Sequence, residues 1–546
     1  MRLLDHLIIL PILLPLVAGA LLLLFDERRH ALKALISLAS TVMLMGIAIY
    51  LLQSADAPAG ASMAATTGVY HLGNWPAPFG IVLVLDRLSA LMLVLTSVLA
   101  LAALIFSFAR WDRAGPHFHT LFQLLMMGLN GAFLTGDLFN LFVFFEVLLA
   151  ASYGLVLFGS GAPRVKAGLH YIAINLAASA LFLVGVSLIY GVTGTLNMAD
   201  LSLRIPAVPE QDRMLLEAGA GILGVAFLVK AGMWPLGFWL PSAYRVAAAP
   251  VAAIFAILSK VGVYILLRLS LLLFGAEAGA SAGFGANWLL IGGMATIAFG
   301  AIGVLASQAM GRLAGFSIMV SSGTLLAATG MANAGVTSGA LFYLVSSTLT
   351  IGAFFLLVEL IERAQDPAAD VLALTLEAFG DGEEEVVEDE VGVAIPGTVA
   401  ILGICFAACV LLLAGLPPLS GFVAKFALLT ALVNPAGLGT AAVPTAMGWL
   451  LVALLIASGL AALIALVRAG IRRFWAQTDG PVPRVLSTEI APIAFLLALC
   501  LAMTVQGGAV MRFMDATAQS LHSPSAYVQD VMSAQRVPPY KKGEGQ

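Results

Sequence analysis

Apolar residues in this chain run in blocks of about twenty, not in the rhythm of a helix with one wet face. A helix that crosses the hydrocarbon of a bilayer needs roughly 20 mainly apolar residues. Windows of that kind recur at 7–25, 32–52, 86–109, 119–136, 138–158, 167–191, 217–239, 248–273, 286–308, 313–332, 336–361, 396–431, 446–470 and 489–507. They predict an all-α integral membrane protein of about fourteen transmembrane helices. The 396–431 run is too long for one straight helix. Its centre, Gly415-Leu416-Pro417-Pro418-Leu419-Ser420-Gly421, breaks it within the membrane, because proline removes a backbone donor and clashes with the preceding turn. The 217–239 run carries a similar interruption, Gly232-Met233-Trp234-Pro235. The first window lacks a small-residue cleavage site and is followed by charged residues at 26–29, so it reads as a retained helix and not a signal peptide.

Composition agrees with lipid as the solvent. The chain is 61% hydrophobic and 10% charged, whereas roughly a quarter of an ordinary soluble domain is charged. Its 55 glycines and 24 prolines suit membrane helices, where both are more frequent. A net charge of -4 with scattered basic residues excludes a nucleic-acid partner. Cys405, Cys409 and Cys500 lie in apolar runs and read as small fillers. Beside Cys405 and Cys409 there is no second Cys or His pair at metal-ligand spacing, and no haem, iron–sulfur or nucleotide motif is present, so neither metal nor cofactor is expected.

Cytoplasmic loops carry the excess of Lys and Arg. With the N-terminus outside, 14 of the 26 basic residues fall on inward segments, nine on outward segments and helix ends, and three within spans. Both chain ends are therefore expected outside. Residues 192–216 read as a polar outer loop. Residues 364–394 carry ten acidic side chains from Asp366 to Glu390. That stretch reads either as a solvated cytoplasmic loop or as a surface for cations or a neighbouring subunit.

The chemical signal lies in the few charges inside the spans. Glu146 sits about two turns from either end of its window, and Lys230 five residues before Pro235. Lys260 is in mid-span, and Lys425 follows the Pro417-Pro418 break by two turns. A charge at the bilayer centre costs roughly 2.5–3.5 kcal/mol on insertion scales, so such groups are paired, hydrated or functional. One buried lysine reads as well as a neutral or snorkelling side chain. Four ionisable groups, two of them beside broken helices, read as a proton pathway. Broken helices survive at membrane depth only where the backbone is buried in protein or lines a wet cavity, and transporters build midplane ion sites from them, often in paired repeats. A lysine stripped of water gives up its proton more readily, and a carboxylate nearby strengthens its hold. A Glu–Lys pair is thus adjustable, and a row of lysines with water between them passes protons sideways. Lysine is a poor metal ligand, and near the inner face His170 lies one turn after Lys166. That residue reads equally as an inner proton feed or a surface histidine.

The stretch Lys230-Ala231-Gly232-Met233-Trp234-Pro235-Leu236-Gly237-Phe238-Trp239-Leu240-Pro241-Ser242-Ala243-Tyr244, continuing through Ala249-Pro250-Val251 to Lys260-Val261-Gly262-Val263-Tyr264, is similar to the signature of the antiporter-like subunits. These occur in respiratory complex I, membrane-bound hydrogenases and the Mrp/Pha/Mnh multisubunit cation/proton antiporters. Gly415-Leu416-Pro417-Pro418-Leu419-Ser420-Gly421-Phe422 with Lys425 resembles the family's second broken helix, and Glu146 its key glutamate. The resemblance is clearest over residues 80–470. Met-Trp-Pro-Leu and Ala-Ala-Ala-Pro-Val make the chain most similar to the D-type branch of the Mrp/Pha antiporter subunits.

The resemblance implies fourteen helices with two inverted five-helix repeats, each holding a broken helix. The expected division is residues 1–110 for helices 1–3, 111–275 for the first repeat, 276–470 for the second with its acidic loop, and 471–546 for the last helix and a polar tail. It implies that Glu146 modulates Lys230, that Lys230 and Lys425 are repeat-related, and that Lys260 relays between the halves. Two departures stand out. Pro235-Leu236-Gly237 and Ala243-Tyr244 lack histidines usual in the family. The eleventh span lacks the usual His and Lys, so a relay from Lys260 to Lys425 needs Ser346, Ser347, Thr348 and water in their place. The expected function is proton translocation in a Na+ or K+/H+ antiporter, in a bacterial inner membrane, within a hetero-oligomer, surrounded by lipid and with no enzyme activity of its own. The alternatives are a pumping subunit of a redox-driven complex and a passive scaffold that retains the lysines.

Overall fold

In lipid the backbone must satisfy its own polar groups, and long helices are how the apolar windows do so. The computed structural model describes residues 6–56, 67–363, 397–437, 443–475 and 485–534. The acidic stretch 364–394 and the last residues of the chain lie outside the described residues. The first helices are α1 (Leu10–Leu23) and α2 (His30–Ala55), followed by a hairpin of β1 (Gly68–His71) and β2 (Val82–Leu85). Then come α3 (Arg87–Ser107), α4 (Phe118–Leu134), α5 (Leu138–Val156), α6 (Ala162–Thr193), the short α7 (Met198–Arg204), α8 (Glu210–Ala231) and the short α9 (Leu240–Val246). The middle of the chain forms α10 (Ala249–Leu273), α11 (Ala286–Ala306), α12 (Met310–Gly330) and α13 (Ala334–Arg363). The remainder is α14 (Gly397–Ala414), α15 (Ser420–Val433), α16 (Ala446–Gly470), α17 (Ser487–Val505), α18 (Gly507–His522) and α19 (Ser525–Ser533).

Among the described residues, twelve helices are long and apolar enough to cross a membrane, and α1, α4 and α15 are shorter apolar helices. The protein is thus an all-α membrane protein. Its most apolar stretches of α10 and α13 are wholly enclosed by other helices, at 100% buried, whereas those of α2 and α17 are 33% buried. Polar side chains can therefore be kept from lipid on α10 and α13 and nowhere so completely. Between membrane helices, small residues let backbones approach where lipid supplies no hydrophobic drive. A Cβ on Gly293 of α11 would lie 2.4 Å from Ala327 N of α12, and one on Gly323 would lie 2.8 Å from Gly293 O.

Three segments differ from the sequence reading. The polar outer loop at 192–216 holds α7, capped by the Asn197 side chain, and the first turns of α8. The connection before α3 holds the antiparallel hairpin, with Gly68 opposite Leu85 and His71 opposite Val82. The tail after residue 507 is not only a tail. It folds as α18 and α19, with Asp515 accepting from Ser338 Oγ of α13 and His522 Nε2 2.9 Å from Thr337 Oγ1. These helices are amphipathic, so their composition is polar although one face is apolar and buried.

Candidate functional site

Two interruptions organise the site. α8 stops at Ala231 because Gly232 takes φ +75, a left-handed conformation that only glycine adopts without strain. The Gly232 N–H returns to Val229 O at 3.2 Å and the Met233 N–H to Leu228 O at 3.0 Å, so the helix end is closed by its own carbonyls. The chain then passes through a cis Trp234-Pro235 bond into α9. α14 stops in the same way at Ala414, with Gly415 at φ +78, N–H groups of Gly415 and Leu416 both on Leu411 O, and a cis Pro417-Pro418 bond before α15. Pro235, Pro417 and Pro418 are exposed on the flank of the bundle.

Overlaid on Ala231-Gly232 and Ala414-Gly415, the two breaks set Lys230 opposite Leu413, not opposite Lys425. Lys230 precedes its break and Lys425 follows its own. The Lys425 side chain nevertheless reaches back, donating to Ala414 O at 2.9 Å and Leu413 O at 3.3 Å. These carbonyls are the orphan acceptors at the negative end of α14. Glycines make the room. A Cβ on Gly415 would lie 2.5 Å from Lys425 Cδ, and one on Gly459 of α16 would lie 3.0 Å from its Nζ.

Lys230 is 7% exposed in the last turn of α8. Its Nζ lies 3.5 Å from Asn175 O of α6 and 5.7 Å from the Phe145 ring centre on α5. Glu146 follows Phe145 on α5, and among the described residues it forms no ion pair with Lys230. Its Oε1 is buried with no protein hydrogen-bond partner, as is Tyr153 OH.

Lys260 lies at the middle of α10 with 0% exposure. The approach of α10 to the end of α8 is tight, since a Cβ on Gly262 would lie 2.7 Å from Ala231 N. Lys260 Nζ donates to Ser321 Oγ at 2.8 Å and Ser322 Oγ at 3.3 Å on α12. Ser321 Oγ is 2.9 Å from Ser347 Oγ on α13, and Ser346 Oγ is 2.8 Å from Ser420 Oγ at the start of α15. A cavity of about 30 Å³ lies between, lined by Ser321, Tyr343, Ser346, Ser347, Ser458 and Lys425 among others. A space of this size is enough for a water molecule. Hydroxyls can both give and accept hydrogen bonds, so this arrangement can pass a proton between amines that the sequence left unconnected.

Of the relay residues expected on α13, Ser346 and Ser347 line this cavity and Thr348 does not. Thr348 Oγ1 donates to its own helix at Leu344 O, 2.5 Å away. His170 is exposed on α6 and stands apart from the buried row. Ser317, Ser321, Ser322, Tyr343 and Ser458 were not singled out from sequence. The signal available was Ser317 and Ser321 at i, i+4 on one face of α12. The three cysteines are buried and unbridged. Among the described residues no group of three or more His, Cys, Asp or Glu side chains could hold a metal ion.

A family model described as NADH:quinone oxidoreductase/Mrp antiporter, TM matches residues 135–452, which contain both breaks and Glu146, Lys230, Lys260 and Lys425. A chain from Rhizobium meliloti (strain 1021), named as the D-type subunit of a probable K(+)/H(+) antiporter, is 63% identical over 98% of this chain and 98% of its own length. The D-type subunit of the Na(+)/H(+) antiporter of Alkalihalophilus pseudofirmus is 32% identical over 97% of this chain and 99% of its own. Among solved structures, a chain in the Mrp complex from Dietzia sp. DQ12-45-1b superposes with a TM-score of 0.80 at 25% identity, covering 97% of this chain and 100% of that one. A chain of respiratory complex I from Thermus thermophilus shares the fold, with a TM-score of 0.72 at 22% identity over 94% of this chain and 99% of that one. Sequence and fold therefore agree that this chain belongs to the NADH:quinone oxidoreductase/Mrp antiporter family of membrane subunits.

Proposed function

We propose that the chain is the D-type subunit of an Mrp-type multisubunit cation/proton antiporter, a transporter component and not an enzyme, and that protons cross it along Glu146, Lys230, Lys260 and Lys425. The observation that carries the pathway is the hydroxyl bridge from Lys260 through Ser321 and Ser347 to the cavity beside Lys425. Glu146, adjacent to the Phe145 whose ring lies 5.7 Å from Lys230 Nζ, is near the amine but not bound to it, so a small movement of α5 changes how the two groups act on each other. Lys260 then links the two broken helices, and Lys425 ends the row at the carbonyls of α14. Paired breaks, each with a left-handed glycine shortly before a proline, support two repeats. Joining the halves of each broken span and adding α1 and α4 to the long helices gives fourteen crossings. The 63% identical relative is named for potassium and more distant ones for sodium, which favours K+ as the exchanged cation.

Everted vesicles bearing the whole complex test this reading through the collapse of a preset pH gradient on addition of K+ or Na+. Lys230→Ala and Lys260→Ala should each abolish the response. Wild-type antiport in an assembled Lys260→Ala complex would sink the pathway. The redox-driven alternative is favoured by the shared fold with complex I. It predicts iron–sulfur or nickel–iron subunits in the purified complex in place of small antiporter subunits. The passive-scaffold alternative predicts normal transport after Glu146, Lys230 and Lys425 are neutralised.

A further inference from the structure

α10 carries a second polar feature that the pathway does not use. Lys260, Tyr264 and Arg268 are spaced i, i+4, i+8, which stacks them on one helix face over about 12 Å. All three are buried, at 0%, 3% and 6% exposure. Arg268 grips Asp86 with both prongs, Nη1 to Oδ2 at 2.5 Å and Nη2 to Oδ1 at 2.9 Å. Asp86 is in turn fixed by its capping box with Ser89 at the start of α3. Arg268 Nη2 also donates to Tyr264 OH at 3.1 Å, and Tyr264 OH donates to Phe133 O at 2.7 Å. The one proton of that hydroxyl is committed to a carbonyl while its oxygen faces a guanidinium. Tyr264 is therefore held where it cannot hand a proton on.

Beyond Arg268 is a cavity of about 190 Å³, lined by Thr67, Asp86, Arg87, Arg268, Ser520 and Tyr527 among others. It is roomy enough for several waters at about 30 Å³ each. α18 and α19 form its lid, with the Tyr527 ring centre 5.4 Å from the guanidinium carbon. The basic-residue distribution puts this end of α10 outside. An outer cavity with room for water and the buried lysine of the pathway thus share one face of one helix, with a locked guanidinium between them.

We propose that Arg268, held by Asp86, is an outer plug. Its guanidinium, locked in place by the ion pair and unable to give up a proton, keeps protons and cations in the outer cavity from reaching Lys260 along α10. Arginine suits the task because it stays protonated in proteins, and an arginine in a pore is an electrostatic barrier to protons and cations. Stability alone is a weak reason for the pair, since well-packed apolar residues often do as well as a buried ion pair. Coupling supplies a stronger reason, because a leak from outside to the central lysine would dissipate the gradient that drives exchange. This inference rests on the reading that Lys260 carries protons.

The test uses the complete complex in proteoliposomes, with no cation gradient, and reads passive proton permeability. Asp86→Asn with Arg268→Gln removes both charges without stranding one. Permeability should rise about tenfold or more, the effect of lowering a barrier by one 1.4 kcal/mol step, and should return to the wild-type level when Lys260→Met is added. Wild-type permeability in the assembled double variant overturns the plug, as does a leak that survives Lys260→Met. A second measurement leaves the ion pair intact. Ser520→Cys, on the exposed cavity wall, should react with a membrane-impermeant thiol reagent added outside, against three buried native cysteines. Reaction only from inside overturns the proposal even if the charge variants fail to assemble. Loss of antiport in Lys260→Met alone, with a tight double variant, refutes the plug and spares the pathway. Intact antiport in Lys260→Met refutes the pathway.

Discussion

A hydroxyl relays a proton only when it can accept on one side and donate on the other. Ser321 meets that condition, between Lys260 Nζ and Ser347 Oγ. Ser321→Ala in the assembled complex should therefore slow antiport about tenfold or more, while Ser321→Thr, which keeps the hydroxyl, should retain most of it. Thr348→Val is the matched control, since its hydroxyl bonds its own helix and neither lines the cavity nor meets another side chain of the bridge. Equal rates for the Ser321→Ala and Thr348→Val complexes would remove the hydroxyl bridge from the mechanism. The other decisive position is Gly415. A side chain there costs about 1–2 kcal/mol for the left-handed backbone alone and drives into Lys425 Cδ. Gly415→Ala should lower the melting temperature of the complex and impair antiport, and a silent variant would mean that the lysine does not need its cradle. Lys230, Lys260, Lys425 and Glu146 were legible because charge in an apolar window is anomalous by itself. The serines were not, because a serine in a membrane helix more often bonds to its own backbone, as Thr348 does.

At the scale of elements, the two breaks are alike in their glycine and proline but not in where the lysine is attached. Lys230 and Lys425 stand on opposite sides of their glycines, yet Lys425 Nζ comes to the carbonyls of Leu413 and Ala414, the positions that overlay Lys230 and Ala231. Proline and glycine marked both breaks in the sequence, whereas the reach of a four-carbon side chain across one of them did not show there. Helix pairing is the other matter settled at this scale. Gly293 and Gly323 bring α11 and α12 into backbone contact. Gly293→Val should destabilise by about 1–3 kcal/mol, the usual cost of overpacking, seen as a lower yield of assembled complex and an earlier thermal transition. No change in either would show that the two helices have room to part. The hairpin escaped the sequence reading because its strands are four residues each, and α18–α19 because they are short and amphipathic; the 20-residue apolar window registers neither.

For the whole molecule, enclosure decides where chemistry can sit. α10 and α13 are surrounded by protein, and they hold Lys260 and Ser346–Ser347 at the centre of the bundle. The C-terminal helices join this centre from outside through Asp515, His522 and Tyr527. A chain ending at Gln506 should still insert in the membrane, but the complex should melt at a lower temperature and leak protons faster than wild type. A truncated complex as tight and as stable as the full one would reduce α18 and α19 to an ornament of the fold.

The sequence by itself determined that this is a multi-helix membrane protein, that two spans are broken, and that four charges interrupt apolar windows. Each of these is a one-dimensional property: window hydropathy, proline and glycine in an apolar run, or a charge out of place. Tertiary structure alone decided that Ser321 of α12 and Ser347 of α13 meet between two lysines, that Thr348 and His170 stand aside, and that Arg268 is locked above Lys260. Those facts depend on which faces of separate helices come together. In a bilayer that choice follows small-residue contacts and hydrogen-bond satisfaction between helices, and apolar windows alike in composition do not encode it.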